Sequence, residues 1–427
     1  MTAQRAILGG TFRSLRTRNY RLFATGQAVS NTGTWMQRIA QDWLVLSLTN
    51  SPTAVGITTA MQFLPMLLFG LWGGVLADRY PKRRLLIATQ SAMGLLAASL
   101  TVLTLTGTVR VGHVYLIAFL LGLATVVDNP TRQSFVMEMV GEADLRNAVG
   151  LNAAIFQSAR LVGPAIAGLL INLVGAGWAF GINALSYAGV LCGLLLMREA
   201  ELYTTPPVAR ARGQLRDGLR YIAARPELTW PIVLVGFVGT FGYNWPIVLS
   251  SFARHVFRQG AGTYGLLNTV IAIGSLAGAL LAARRVRTRL RMLVGAALAF
   301  GVLEAIAALT PWFWLFCPVL LVVGLVGMTF NNAANTTVQL ASTPEMRGRV
   351  MGVYMLVFTG GTPIGGPLIG MVTEAYGARV GLLAGGVISA LAAATVALVL
   401  ARVRYRSLPA AARTVLSAGR TDAERVP

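Results

Sequence analysis

Gly73-Gly74-Val75-Leu76-Ala77-Asp78-Arg79-Tyr80-Pro81-Lys82-Arg83-Arg84 joins two long apolar runs. The run before it, 53–77, carries no charged residue, and neither does the run after it, 85–107. A helix needs about 20 mostly apolar residues to cross a bilayer. The charges here are confined to the junction, where water can solvate them. The stretch therefore reads as two membrane-crossing helices joined by a short basic loop.

Working outward, the same pattern recurs along the chain. Apolar runs lie at about 21–48, 53–77, 85–107, 112–137, 147–173 and 177–197, then at about 229–252, 263–283, 292–310, 312–336, 350–374 and 379–401. The fold class expected is an all-α membrane protein with twelve transmembrane helices in two six-helix pseudo-repeats. The expected domains are a tail 1–20, a first bundle 21–197, a connector 198–228, a second bundle 229–402 and a tail 403–427. Within the connector, Leu215, Leu219 and Ile222 alternate with Arg216, Asp217 and Arg220. That spacing predicts an amphipathic helix lying on the membrane surface. The fourth and tenth runs have polar inner ends, Asp128-Asn129-Pro130 and Asn331-Asn332.

Composition agrees with a membrane protein. Only 12% of the 427 residues are charged, against roughly 25% in a soluble domain. Mean hydropathy is +0.64. The net charge of +21 would suit a nucleic-acid binder, but the basic residues sit in short clusters between apolar runs. Such clusters set membrane orientation. Only Arg110, Arg254, Arg258 and Arg379 fall on one predicted side, and Arg38 and Arg160 fall within spans. The remaining Lys and Arg residues lie on the other side, which places both termini in the cytoplasm and the chain in the inner membrane. Arg5, Arg13, Arg16 and Arg18 precede any apolar core, so no cleavable leader is expected.

Enzyme classes find no support. There is no Gly-x-x-x-x-Gly-Lys-Ser/Thr loop for ATP and no Gly-x-Ser-x-Gly elbow. His113 and His255 fall in predicted external loops, and Cys192 and Cys317 stand alone in apolar runs. No cofactor or metal is expected. The partners expected are a small-molecule substrate, protons and lipid, with the protein a monomer and no nucleic acid.

The halves also echo each other. The junction after the second run matches Gly278-Ala279-Leu280-Leu281-Ala282-Ala283-Arg284 after the eighth, and Gly163-Pro164…Gly168 matches Gly366-Pro367…Gly370. Parallel repeats of this kind build transporters that bind substrate at the repeat interface near the midplane.

Gly74…Asp78-Arg79-Tyr80-Pro81-Lys82-Arg83-Arg84 resembles the loop motif of the major facilitator superfamily, Gly-x-x-x-Asp-Arg-x-Gly-Arg-Arg, with Pro81 and Lys82 as departures. Other stretches resemble its enterobactin-exporter-like branch: Asn19-Tyr20-Arg21, Gly33-Thr34-Trp35-Met36-Gln37, Asp128-Asn129-Pro130-Thr131-Arg132-Gln133, Tyr264-Gly265 and Arg347-Gly348-Arg349. The resemblance implies the major facilitator fold and proton-driven export of hydrophobic drugs, macrolide-like compounds or siderophores. Import of a small metabolite is the alternative. It further implies that Asp78 contacts the start of the eleventh span and that basic loop residues such as Arg79, Lys82 and Arg83 pair with an acid at the inner end of the fourth, where Asp128, with Arg132 nearby, matches by position. A gating latch and a simple topology signal both remain open for this motif. Gly163, Pro164 and Gly168 resemble an antiporter signature, with Ala167 where a glycine is usual.

Charges inside spans are costly and mark functional sites. Arg38 and Asp42 stand one helical turn apart, so their side chains can meet; Asp42 is either a proton carrier or half of a structural ion pair. Glu304 is a second interior acid, either neutral or facing a partner helix. Arg160 calls for an acid or an anionic group of a substrate. Trp35, Met36, Phe63, Tyr243, Asn244 and Trp245 are candidates for an adaptable cavity wall. Gln62, Asn152, Gln157, Asn331, Asn332 and Gln339 offer hydrogen bonds to a substrate or between helices.

Overall fold

A computed structural model describes residues 12–203, 214–283 and 290–406. The tail up to residue 11, connector residues 204–213, the basic loop 284–289 with Arg284, and the tail from 407 onward lie outside the described residues. Everything regular in the described residues is helical. The chain forms α1 (Arg18–Thr49), α2 (Pro52–Arg79), α3 (Lys82–Leu105), α4 (Val111–Val174) and α5 (Ala176–Leu195). After the connector come α6 (Gln214–Ala223), α7 (Pro226–Phe237), α8 (Trp245–Ser251), α9 (Ala261–Ala283), α10 (Leu290–Leu309), α11 (Phe313–Ala341), α12 (Pro344–Gly360), α13 (Thr362–Tyr376) and α14 (Ala378–Arg406).

The turns follow from local chemistry. Asn50 takes the left-handed conformation (φ 53°) that closes α1. Ser51 then caps α2 by accepting from the Ala54 amide at 3.1 Å, with Pro52 at the first helical position. Gly175 (φ 91°) turns α4 into α5, and Gly377 (φ 89°) turns α13 into α14 with nearly the same backbone. The fourth and fifth predicted runs are not separated by a loop. They form one 64-residue helix with a single non-helical residue, Gly141, at φ 69°. At 1.5 Å per residue its two arms, 111–140 and 142–174, each exceed a hydrocarbon core of about 30 Å. The seventh run is interrupted by a π-helical turn at Val238–Gly242 and ends in another at Phe252–Val256. The eleventh starts at Pro344 and breaks between α12 and α13.

Ten helical stretches among the described residues are long and apolar enough to cross a membrane, the long α4 among them. Their outward side chains suit lipid: Trp72, Leu95, Leu185 and Trp314 are at least 70% exposed. Helix α1, with 32 residues, is long enough but too polar for that set. Gln27, Asn31, Thr34, Arg38 and Gln41 recur along it at four- and three-residue steps, which is one face of a helix.

The core is forked. One hydrophobic cluster joins both halves of the chain, running from Leu44, Val45 and Val55 through Leu100 and Val114 to Phe252, Tyr264, Phe316, Ile369 and Leu382. These residues lie toward the end of the molecule that carries the α1–α2 turn at Asn50. At the other end, near Arg79, the core divides. One cluster holds Tyr20, Phe23, Leu86, Phe135, Met139 and Leu194 from the first half. A separate one holds Ile222, Leu228, Val235, Phe330 and Tyr354 from the second.

Helix α6 forms where amphipathic spacing predicts it. Gly218 packs on the Arg349 backbone of α12, Ile222 is buried, and Asp217 pairs with Arg349 at 3.1 Å. The protein therefore covers part of the face that the sequence assigns to lipid.

Candidate functional site

The polar face of α1 opens on a cavity of about 170 Å³, lined by Asn31, Gln37, Arg38 and Gln41 of α1, Gln62 of α2, and Asp128 and Arg132 of α4. Asp128 is fully buried and saturated with donors. Arg132 pairs with it one turn along α4, and Thr89 (2.9 Å) and Gln90 (2.7 Å) donate from α3. Arg132 also donates to Gln27 at 2.8 Å and Asn31 at 3.3 Å. Gln37 accepts from Asn183 at 2.6 Å.

This corrects the pairing that the loop motif implied. Asp128 lies too deep for the basic loop. Lys82 instead meets Glu138 at 2.5 Å, nearly three turns further along α4. Arg83 pairs with Glu199 and donates to the carbonyl of Leu194 at 2.7 Å, and Arg13 meets Asp144 at 2.7 Å. Asp78 is half-buried where α2 ends, Gly74 lies one turn earlier, and Arg79 is exposed.

A second correction concerns Asp42. Although one turn from Arg38, it makes no ion pair with it among the described residues. Its Oδ2 accepts from Tyr264 of α9 at 2.8 Å, in the other half of the chain, and Tyr264 stacks on Trp43. Arg38 turns instead toward Trp35, with its guanidinium carbon 4.9 Å from the ring centroid. Arg160 lies 5.8 Å from the same ring, and no acid meets it among the described residues. Phe156 meets that ring edge-on at 5.8 Å.

The other candidates divide. Tyr243 and Trp245 form an aromatic group with Phe300, and Tyr243 also meets Phe358. Tyr243 donates to the Gly327 carbonyl at 2.8 Å. Of the residues expected to form the substrate cavity, Gln62 lines this one, whereas Trp35, Met36, Phe63, Asn152, Gln157, Tyr243, Asn244, Trp245, Asn331 and Asn332 do not. Met36 is packed in the shared core. Asn244 is 3% exposed and donates to the carbonyls of Thr240 and Phe241, satisfying backbone freed by the π-helical turn. Asn152 accepts from Tyr20 at 3.0 Å, and Gln339 donates to Asn335. Phe63, Gln157, Asn331 and Asn332 are partly exposed on their helices. Glu304 is fully buried on α10 against Gly386, and neither carboxyl oxygen has a hydrogen-bond partner. No cluster of His, Cys, Asp or Glu among the described residues is arranged to hold a metal.

The halves close on each other toward the Asn50 end. Gly56 of α2 lies against the backbone of Gly366 and Pro367 of α13, with no room for a Cβ. Gly168 of α4 lies against Gly265 of α9, where a Cβ would sit 3.1 Å from the opposing Cα. Gly163 serves a different contact, since a Cβ there would be 2.6 Å from that of Trp35. Polar bonds complete the closure. Glu374 of α13 accepts from the Ser51 hydroxyl and, at 3.2 Å, from the Thr53 amide at the start of α2. Arg254 donates to Asn50 at 3.1 Å, and the Gly262 amide donates to Asn172 at 3.2 Å.

The family model described as "Transmembrane secretion effector" matches residues 9–418. The chain belongs to this family of major facilitator transporters. The staphyloferrin A transporter of Staphylococcus aureus is 26% identical over 354 residues, 81% of this chain and 87% of that protein. The multidrug efflux pump Tap of Mycolicibacterium fortuitum is 27% identical over 379 residues, 85% and 90% of the two. Among solved structures, a bacterial homologue of the human lysosomal transporter Spinster, in an inward-facing and unoccupied conformation, superposes with a TM-score of 0.73. It is 15% identical and covers 89% of this chain and 96% of its own. These findings bear out the resemblance read from the motifs. As a member of the secretion effector family, the chain is a multi-pass membrane transporter.

Proposed function

We propose that this transporter exports amphipathic small molecules, drug-, macrolide- or siderophore-like, in exchange for protons by alternating access. The forked core is the observation that carries this reading. Two bundles share one core at the Asn50 end and keep separate cores at the other. A molecule built that way can tilt its halves to split the shared end and join the divided one. We read α1, the two arms of α4 and the remaining apolar stretches as twelve spans in two bundles of six, 21–197 and 229–402. The arginine bias puts the termini and the Arg79 end in the cytoplasm of the inner membrane.

Asp42 is the proton site of this reading, because it ties ionisation to the seal. Its bond from Tyr264 crosses the halves, and a hydrogen bond to an ionised acceptor is about twice as strong as a neutral one. A proton on Asp42 weakens that tie and favours opening at the Asn50 end. Everted vesicles test the proposal: an inside-acid gradient should drive accumulation of a fluorescent amphiphile, and Asp42→Asn should abolish that drive. Accumulation indifferent to the gradient, or unaltered in the variant, removes Asp42 from the coupling.

A further inference from the structure

Among the described residues, Arg38 and Arg160 are interior cations that the seal and the Asp128 network leave without a hydrogen-bonding or ionic partner. Both guanidinium groups lie against the ring of Trp35. Neither makes a hydrogen bond or ion pair with another described residue, and the Nε of Arg38 is a buried donor with nothing to accept from it. Of the acids within reach, Asp128 is engaged by Arg132, Thr89 and Gln90, and Asp42 accepts from Tyr264, so that its charge acts on Arg38 only at a distance, without a bond between them. Arg38 also lines the cavity of the first half beside Gln41 and Gln62.

Two like charges on one aromatic ring repel each other, and guanidinium groups are costly in the membrane interior unless something pairs with them. Guanidinium presents a planar fork that matches a carboxylate through two parallel bonds. Trp35, braced edge-on by Phe156, adds a flat apolar surface beside that fork. A further cation entering the cavity would meet repulsion from both arginines.

We propose that Arg38 and Arg160, set against Trp35, form the subsite for a carboxylate or similar planar oxyanion on an apolar body, so that the transported molecules are amphipathic anions. This deepens the export reading and rests on it. The test uses the purified full chain in phosphatidylcholine nanodiscs and three dansyl probes that share one alkyl linker and end in a carboxylate, a primary amide or an ammonium group. The carboxylate should bind at least ten-fold tighter than the amide and tighter still than the ammonium probe. Arg38→Gln and Arg160→Gln should each collapse the carboxylate-to-amide ratio toward one, and Arg38→Lys should restore part of it. Equal binding of the three probes by the unaltered protein overturns the inference, and so does a ratio unmoved in both variants. Phosphatidylglycerol that displaces the carboxylate probe would make the occupant a lipid headgroup and also overturn it. Vesicle accumulation of the ammonium or amide probe in preference to the carboxylate would sink the anion subsite and leave export standing. Preferential carboxylate binding without any accumulation would do the reverse.

Discussion

Substitution of Gly56 by alanine adds one methyl group at a crossing between the halves that is matched in closeness by the one at Gly265. Its carbon would sit 2.8 Å from the carbonyl carbon of Gly366 and 3.1 Å from the nitrogen of Pro367, and nearer still to the Gly366 oxygen. Carbon atoms pack best at about 3.5–4.0 Å, so the shortfall is about 0.7 Å. All three opposing atoms belong to the backbone, and no rotamer change can clear them. Overpacking of this kind costs about 1–3 kcal/mol. That cost falls on the arrangement closed at the Asn50 end and is relieved where α2 and α13 separate there. A cost of about 2 kcal/mol shifts a two-state equilibrium roughly 30-fold. Spin labels at Leu48 and Tyr376, both exposed near that end, placed on a background lacking Cys192 and Cys317, should report it by pulsed electron resonance. The distribution should gain a longer-distance component in Gly56→Ala. Gly189→Ala, where a Cβ meets nothing within 4 Å, should leave the distribution as it was. If a folded Gly56→Ala protein kept the parent distribution, the crossing would be ordinary packing and not a state-dependent seal.

Asp128→Asn leaves Arg132 without its ionic partner in a site where the acid is fully buried. Breaking such a pair costs about 3–5 kcal/mol, with the low end apt here because Arg132 keeps some exposure, so thermal unfolding in detergent should occur at a clearly lower temperature. Asp78→Asn should cut transport while membrane abundance stays near that of the parent; equal loss of both would reduce the loop motif to a topology signal.

Much of the architecture is legible in the residue order because lipid imposes a simple rule. Every backbone group must be satisfied within its own segment, so apolar length reveals most of the helices, the polar α1 being the exception. The polar face of α1 was equally open to reading: Gln27, Asn31, Thr34, Arg38 and Gln41 fall at helical steps, and most of them line the cavity. Sequence reasoning that weighed only the charged member, Arg38, missed the amides and the hydroxyl around it. Arg160 and Trp35, over a hundred positions apart, were separate candidates with nothing in the order of residues to unite them.

Partners across the halves are another matter. Spacing along one helix put Asp42 beside Arg38, yet its hydrogen bond comes from Tyr264, 222 positions away. Likewise, position in the fourth run pointed the basic loop at Asp128, whereas Lys82 reaches Glu138. Local spacing says which side chains share a helical face; it carries no information on which other helix covers that face. The chain's apolar and basic pattern therefore determined that it crosses the membrane many times. Only the packing of the two bundles decided which acids are engaged, that Arg38 is left facing the cavity, and at which end the core is joined, because those outcomes depend on how distant helices cross.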